Sequence, residues 1–241
     1  MRLLLIGYGK MGQTLAALAP AHGHSVVGIV DQRAGAARVE DFSPARADVA
    51  IEFTHPDAAF GNVAACLRQG LPVVCGSTGW LPRFEEARAL VAATNGALFY
   101  ASNFSVGVNL FFHFNEYIAA KMSQLGGGAY DVEVREIHHV HKVDAPSGTA
   151  LTTAEGILAN FPAKTSWRDG PAQTPQELAV LSERRGEVVG THEVRYRSAH
   201  DTLELRHGAH SRQGFADGAL RAAAWLPGRQ GVFGMKELLG L

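Results

Sequence analysis

The apolar run Leu3-Leu4-Leu5-Ile6 stops at Gly7-Tyr8-Gly9-Lys10-Met11-Gly12, and no other feature limits the fold so narrowly. A strand that runs into G-x-G-x-x-G and then into a helix is the turn of a parallel βαβ unit. Each glycine has a mechanical use there. The first permits a tight turn, the second lets the backbone approach a pyrophosphate, and the third brings the helix onto the strand, with the phosphate facing the helix amino end. Asp31 ends the next strand, 24 positions after Gly7, where a carboxylate can accept from ribose hydroxyls and repel a 2′-phosphate. That leans towards NADH over NADPH; Arg33, two residues on, could reverse the preference.

From there to Tyr100 short β-type runs alternate with helical stretches, the pattern of a doubly wound, Rossmann-like parallel sheet. The spacing predicts a helix from about Met11 to Ala19, a strand over Ser25 to Val30, and a short link between Ala34 and Ala47. A strand with Val49, Ile51 and Phe53 follows, and then a helix opened by Pro56 and running to about Gln69. Next come a strand over Pro72 to Cys75, a helix over Phe84 to Thr94 and a strand over Ala97 to Tyr100. In such sheets ligands bind beyond the carboxyl ends of the strands, so Gly7, Asp31, Thr54, Gly76 and Ala101 should share one rim. Gly76-Ser77-Thr78-Gly79 and Ala101-Ser102-Asn103-Phe104 sit there as either polar turns or contacts to nicotinamide and substrate.

After Asn103 the pattern changes to a helix over Gly107 to Ser123, a Gly126-Gly127-Gly128 break, and a strand with Val132 and Val134 on one face. A helix over Ser147 to Asn160 and a hairpin between Glu187 and His207, turning near Ser198 to Asp201, suggest an α+β module with an antiparallel or mixed sheet. The end of the chain reads as a helix after Gln213, a loop over Pro227 to Gly231, and a closing helix at Met235 to Leu239. The predicted domains are 1–104, completed by 212–241, and 105–211.

The most informative stretch is Glu136 to Thr149, in which His138, His139, His141 and Lys142 fall within five residues. Strand periodicity would separate His139 and His141 from His138 and Lys142, so for all to serve one ligand the chain must leave strand geometry, as Pro146 and Gly148 permit. A helix starting near Ser147-Gly148-Thr149 offers unpaired N–H groups to a carboxylate. With His139 and Lys142 beside it, the stretch is a receptor for a small anion of dicarboxylate type, and a His or Lys near a nicotinamide can supply a proton. Lys142 reads equally as proton donor or carboxylate-binding cation, and His138 as acid or electrostatic stabiliser. A metal is not expected, since no Cys and no helical H-E-x-x-H spacing supports one. His22, His24, His55, His113, His192, His200, His207 and His210 read as surface or packing residues.

Composition narrows the functional classes. The 241 residues carry 22 Lys+Arg against 23 Asp+Glu, so no global field draws nucleic acid or an anionic membrane. No apolar run approaches transmembrane length. The two cysteines, Cys66 and Cys75, form no framework, which fits a reducing, cytoplasmic setting.

The stretch from Glu136 to Thr149, H-H-x-x-K-x-D-A-P-S-G-T from His138 onward, resembles the dihydrodipicolinate (4-hydroxy-tetrahydrodipicolinate) reductase family. Asn103-Phe104-Ser105-x-Gly107-Val108-Asn109, Phe53-Thr54-x-Pro56, Gly76-x-Thr78-Gly79 and the tail from Ser211-Arg212 to Gly218-Ala219 extend the likeness over nearly the whole chain. The resemblance implies hydride transfer from NADH or NADPH to C4 of the cyclic substrate with loss of water, in diaminopimelate and lysine biosynthesis, by a homotetramer. It further implies His138 as proton donor or acceptor and Lys142 as proton donor, with His139, Gly148 and Thr149 binding substrate. The cofactor would lie on Gly7, Tyr8, Gly9, Lys10, Met11, Gly12, Asp31, Gly76, Ser77, Thr78, Ala101, Ser102, Asn103 and Phe104. The Gly-rich loop is one residue shorter than in many members, Ser77 stands where Thr is common, and Gln32 follows the acid where Arg often reads a 2′-phosphate.

Overall fold

Leu3 and Leu5 point to one side of the first strand, β1 (Arg2–Ile6), and Leu4 and Ile6 to the other, so both faces of β1 are apolar. A strand buried on both faces needs helices on both, and parallel pairing with helical crossovers supplies them. β1 lies between β2 (Ser25–Val30) and β3 (Val49–Glu52), with β4 (Val73–Cys75), β5 (Ala97–Tyr100) and a short edge strand, Gly231–Phe233, following beyond β3. All six strands are parallel. The chain passes from β1 outward to β2 and then returns to β3 on the other side of β1, which opens a crevice at the carboxyl ends of β1 and β3.

The computed structural model describes residues 1–31, 37–126, 128–211 and 213–241. Gln32, Arg33, the start of the link at Ala34 to Ala36, Gly127 and Arg212 lie outside the described residues. The chain divides into two units, Met1–Val106 with Gln213–Leu241, and Gly107–Arg212.

In the first unit, α1 (Lys10–Leu18) and the C-terminal helices Gln213–Trp225 and Met235–Leu239 cover the Leu3 and Leu5 face, bringing Leu15, Ala219, Leu220, Ala223 and Met235. α2 (Pro56–Arg68) and α3 (Phe84–Thr94) cover the other face with Val63, Leu67, Ala87 and Val91. The expected loop ends in a strand instead, since Gly231, Val232 and Phe233 pair with Ala97, Leu98 and Phe99. A strand this short carries too little alternation to read, and its pairing covers an edge of β5 that would otherwise be unsatisfied.

In the second unit, α4 (Val106–Leu125) and α5 (Gly148–Asn160) pack on a mixed sheet. Its strands are β6 (Asp131–His138), β7 (Ser166–Asp169), β8 (Glu177–Arg184), β9 (Gly190–Arg197) and β10 (Thr202–Ala209), in the spatial order β10-β9-β6-β8-β7. β9 and β10 form an antiparallel hairpin whose turn is tied by Ser198 and Asp201. β6, at the centre, pairs antiparallel with β9 and parallel with β8. Val132, Val134, Val180, Val194 and Tyr196 form the helix-facing core, while the opposite phase carries interlocked ion pairs such as Arg135–Glu183 and Arg195–Glu204.

One helix contact tests the first unit. A Cβ on Gly218 would stand 1.8 Å from the Phe104 carbonyl oxygen, so the helix Gln213–Trp225 rests directly on backbone. Gly218→Ala should destabilise the unit by about 1–3 kcal/mol, even though alanine is the better helix former by about 1 kcal/mol. Urea unfolding reads this, and an unchanged midpoint would refute the close contact.

Candidate functional site

The glycines of the first turn do different things. Gly7 has φ +93°, and a Cβ on it would lie 2.1 Å from the Phe53 carbonyl oxygen. A Cβ on Gly12 would lie 2.2 Å from the Gly7 carbonyl oxygen, which makes Gly12 the seat of α1 on β1. Around Gly9 a Cβ would meet nothing within 4 Å, so this glycine serves no internal contact. Gly9 opens α1 with no side-chain cap, leaving the helix's first N–H groups available to an anion. Tyr8 N–H donates to Asp31 Oδ2 at 2.8 Å, fixing the carboxylate against the loop. A cleft of about 360 Å³ is lined by Gly7, Tyr8, Gly9, Asp31, Thr54 and Asn62, among others.

The remaining residues predicted for the cofactor are not among those that line this cleft. Lys10 is exposed and Met11 half-buried in the first turn of α1. After β4, Gly76 leaves room for the Phe53 ring, Ser77 Oγ accepts from Thr54 N–H at 2.7 Å, and Thr78 is exposed. After β5, Ala101 is buried, Ser102 exposed, and Asn103 Oδ1 accepts from Ser105 N–H. The Phe104 side chain is buried in the core, stacked on Phe99 and packed on Phe53.

Sequence reasoning missed Glu52, at the end of β3. It has no exposed surface and accepts from Thr54 N–H at 3.1 Å, from the Thr54 hydroxyl, from Asn62 Nδ2 at 3.4 Å and from Cys75 Sγ at 3.1 Å. It ties three segments at the rim of the crevice. Burial and the neighbouring Glu52 push both cysteine thiols far up, so both are unreactive.

In the second unit the site grows from the end of β6. Glu136 and His138 continue the phase of Val132 and Val134, so they point to the helix-covered side of the sheet. Glu136 has no exposed surface. Its Oε2 lies 2.8 Å from His138 Nδ1, while Oε1 accepts from Ser147 N–H at 3.0 Å and from Arg184 Nη2 at 3.3 Å. His192, opposite Glu136 on β9, is buried with its Nε2 3.1 Å from Ser147 Oγ. The reading of His192 as a surface or packing residue left out these polar contacts; the usable signal was its phase with the buried Val194 and Tyr196. Glu136, His138 and His192 each bring one atom with metal-ligand chemistry within 4.8 Å of the others, but Ser147 and Arg184 already engage the Glu136 oxygen that faces away from His138.

The chain leaves strand geometry after His138. His139 is half-buried, His141 is exposed, and Lys142 Nζ donates to both Asp144 carboxylate oxygens at 2.6 and 2.8 Å. That ammonium holds Asp144 below the usual carboxylate range. Arg184 fastens the loop through the carbonyls of Lys142 and Asp144. Ser147 caps α5 by accepting from Ala150 N–H at 3.2 Å, which leaves the Gly148 and Thr149 N–H groups at the helix end without a partner among the described residues. His138 and the start of α5 are thus joined through Glu136, whereas His139 and His141 lie outside that cluster.

Burial alone would raise the Glu136 pKa, yet the donors from His138, Ser147 and Ser182 outweigh it and hold the carboxyl well below its ordinary range. Burial, reinforced by His138, brings His192 down to about 3. A histidine neutral in the fold and titrating near 6.5 when unfolded contributes stability in full above about pH 6.5 and loses about 1.4 kcal/mol per pH unit below it. For His192 that loss runs down to about pH 3. The Glu136 contribution is lost only below the unfolded carboxylate value of about 4.3. Between those limits His192→Gln should flatten the fall of urea stability with pH by close to one proton, and an unaltered slope would count against a neutral buried ring.

The comparisons cover both units. A family model described as dihydrodipicolinate reductase, N-terminus, matches residues 1–104, and one described as dihydrodipicolinate reductase, C-terminus, matches residues 107–239. A 4-hydroxy-tetrahydrodipicolinate reductase of Christiangramia forsetii is 41% identical over 239 residues, 99% of this chain and 98% of that one. One of Akkermansia muciniphila is 38% identical over 243 residues, 97% of this chain and 95% of that one. Among solved structures, a dipicolinate-bound dihydrodipicolinate reductase of Paenisporosarcina sp. TG-14 shares the fold with a TM-score of 0.82, 22% identity and 97% coverage of both chains. Matched along nearly its whole length by the N-terminal and C-terminal models of one family, the chain belongs to the dihydrodipicolinate reductases.

Proposed function

We propose that the chain reduces 4-hydroxy-tetrahydrodipicolinate to tetrahydrodipicolinate with one hydride from NAD(P)H and one proton, releasing water, in diaminopimelate and lysine biosynthesis. The observation that carries this reading is the polar cluster at the end of β6, where a buried carboxylate joins His138 to the open amino end of α5. Identity of 41% across 99% of the chain with a reductase of that name points to the same reaction.

The first unit fits a dinucleotide on the structure's own terms, because Gly9 leaves open space beside uncapped helix N–H groups. When bound, the reduced nicotinamide supplies the hydride. Gly9 and the start of α1 receive the pyrophosphate, and Asp31 accepts from the adenine ribose. A carboxylate at that place favours NADH. Ser77, Thr78 and the Ala101 to Phe104 turn complete the cofactor set through backbone and small polar groups.

In the second unit the Gly148 and Thr149 N–H groups and His139 bind a substrate carboxylate, which is a small dicarboxylate's means of recognition. Lys142 meets a carboxylate as a cation, with Asp144 now in the place that the substrate would take. His138 moves the proton. The family resemblance further carries a homotetramer built by the second unit and a cytoplasmic setting, and sedimentation tests the former. No helix among the described residues is long and apolar enough to cross a membrane.

The deciding assay is oxidation of NADH and of NADPH by purified protein, with substrate made in place from pyruvate and aspartate semialdehyde. Turnover with faster NADH use is expected; binding without turnover would sink the assigned substrate. Lys142→Ala should lower kcat/KM about 10- to 100-fold, chiefly through KM, while cofactor Kd stays within about twofold, and an unchanged kcat/KM would remove Lys142 from the site. Gly9→Ala should weaken cofactor binding by an order of magnitude or more at unaltered Tm, since its methyl meets no atom of the chain. Unaltered cofactor affinity in that variant would place the pyrophosphate elsewhere.

A further inference from the structure

We propose that Glu136 is the positioning residue of the second unit, one oxygen fixing the proton-bearing nitrogen of His138 and the other fixing the amino end of α5. The proposal rests on the reading of His138 as the group that moves the proton.

Glu136 Oε2 and His138 Nδ1 are both buried, and His138 Nδ1 has no hydrogen-bond partner elsewhere among the described residues. They lie 2.8 Å apart. A buried ring nitrogen with no other partner, at that separation from a carboxylate oxygen, is satisfied by a proton between the two. A neutral His138 therefore carries its proton on Nδ1, and Nε2 is the nitrogen that exchanges protons with a ligand. When Nε2 is protonated, the imidazolium faces a carboxylate that already lies in place.

The sheet keeps that nitrogen uncovered. Gly190, the first residue of β9, would place a Cβ 3.0 Å from His138 Nε2 and 3.3 Å from its Cδ2. The ring cannot yield, because Glu136 holds its other side and the His192 ring stands edge-on at 5.1 Å. Residue 190 is left without a side chain just where one would press on the working nitrogen. Through Oε1 the same carboxylate takes Ser147 N–H, at the residue whose hydroxyl caps α5. Arg184 brings a cation to that oxygen. Proton donor and carboxylate receptor are therefore indexed to one group rather than placed separately.

The test reads the ring directly. In protein labelled with ¹⁵N-histidine, at about pH 9 where a histidine ring is neutral, wild-type His138 should be the Nδ1–H tautomer. Glu136→Gln, whose amide cannot accept from His138 and Ser147 together, should shift the His138 nitrogens, lower kcat at least tenfold and weaken binding of a pyridine dicarboxylate. NADH affinity, a property of the first unit, should not change. Gly190→Ala keeps the Glu136 charge and provides the second variant should Glu136→Gln fail to fold; it should shift His138 Nε2 and lower kcat at least tenfold. A wild-type Nε2–H tautomer, or His138 resonances indifferent to both substitutions, overturns the proposal whatever the turnover. Shifted resonances with intact turnover would uphold the positioning and overturn the role of His138 in the reaction.

Discussion

A carboxylate with no exposed surface must be surrounded by donors, and the donors around Glu136 come from separate stretches of chain. His138 is on the same strand, Ser147 opens α5 and Arg184 ends β8. Removing the compensation from such a group costs about 3–5 kcal/mol, so the three stretches are held to one arrangement. The polar loop from His139 to Pro146 is tied down by the same requirement, because Arg184 also holds its carbonyls. A loop this exposed would otherwise have few contacts to define it.

The first unit solves a similar problem with less charge. Glu52 ends β3 as Glu136 lies near the end of β6, and it too is fully buried among donors, here from Thr54, Asn62 and Cys75. Its neighbours, though, are loops whose work is done by backbone. Gly7 and Gly12 are fixed by contacts that admit no Cβ, whereas Gly9 is surrounded by nothing. The same motif thus contains two glycines explained by the fold and one that the fold leaves unexplained.

What was legible in the sequence followed from periodicity. The parallel sheet, its helices and the β9–β10 hairpin each carry enough residues for a pattern to register, and the Gly7 to Gly12 turn is specified by residue type. The edge strand Gly231–Phe233 and β7 are too short to register, and β8, paired parallel on both sides, went unread between α5 and the hairpin. In the site, His138 and Lys142 stood out because titratable residues crowd there. Glu136 and His192 did not, since a lone acid or histidine in a strand looks like a solvated face. Their phase was the signal: each follows the buried valines of its own strand, Val132 and Val134 for Glu136, Val194 for His192. A polar residue on the apolar phase is either an error of register or a buried, partnered group.

That distinction bears on how His138 and Lys142 would divide the proposed reaction. Lys142 stands on an exposed loop and has an exposed partner, Asp144, which a ligand carboxylate can replace without uncovering a buried charge. His138 has a partner that is itself buried, because Glu136 Oε2 lies 2.8 Å from its Nδ1, a nitrogen no other group engages among the described residues. A cation whose counter-ion is exchangeable suits recognition, where binding must swap one carboxylate for another at small net cost. A ring whose counter-ion is permanent suits proton transfer, where the geometry must persist through a change of charge. On the proposed reading the order of residues in Glu136 to Lys142 is therefore an order of burial, with the proton handled at the buried end of the strand and the ligand's charge met at the exposed end.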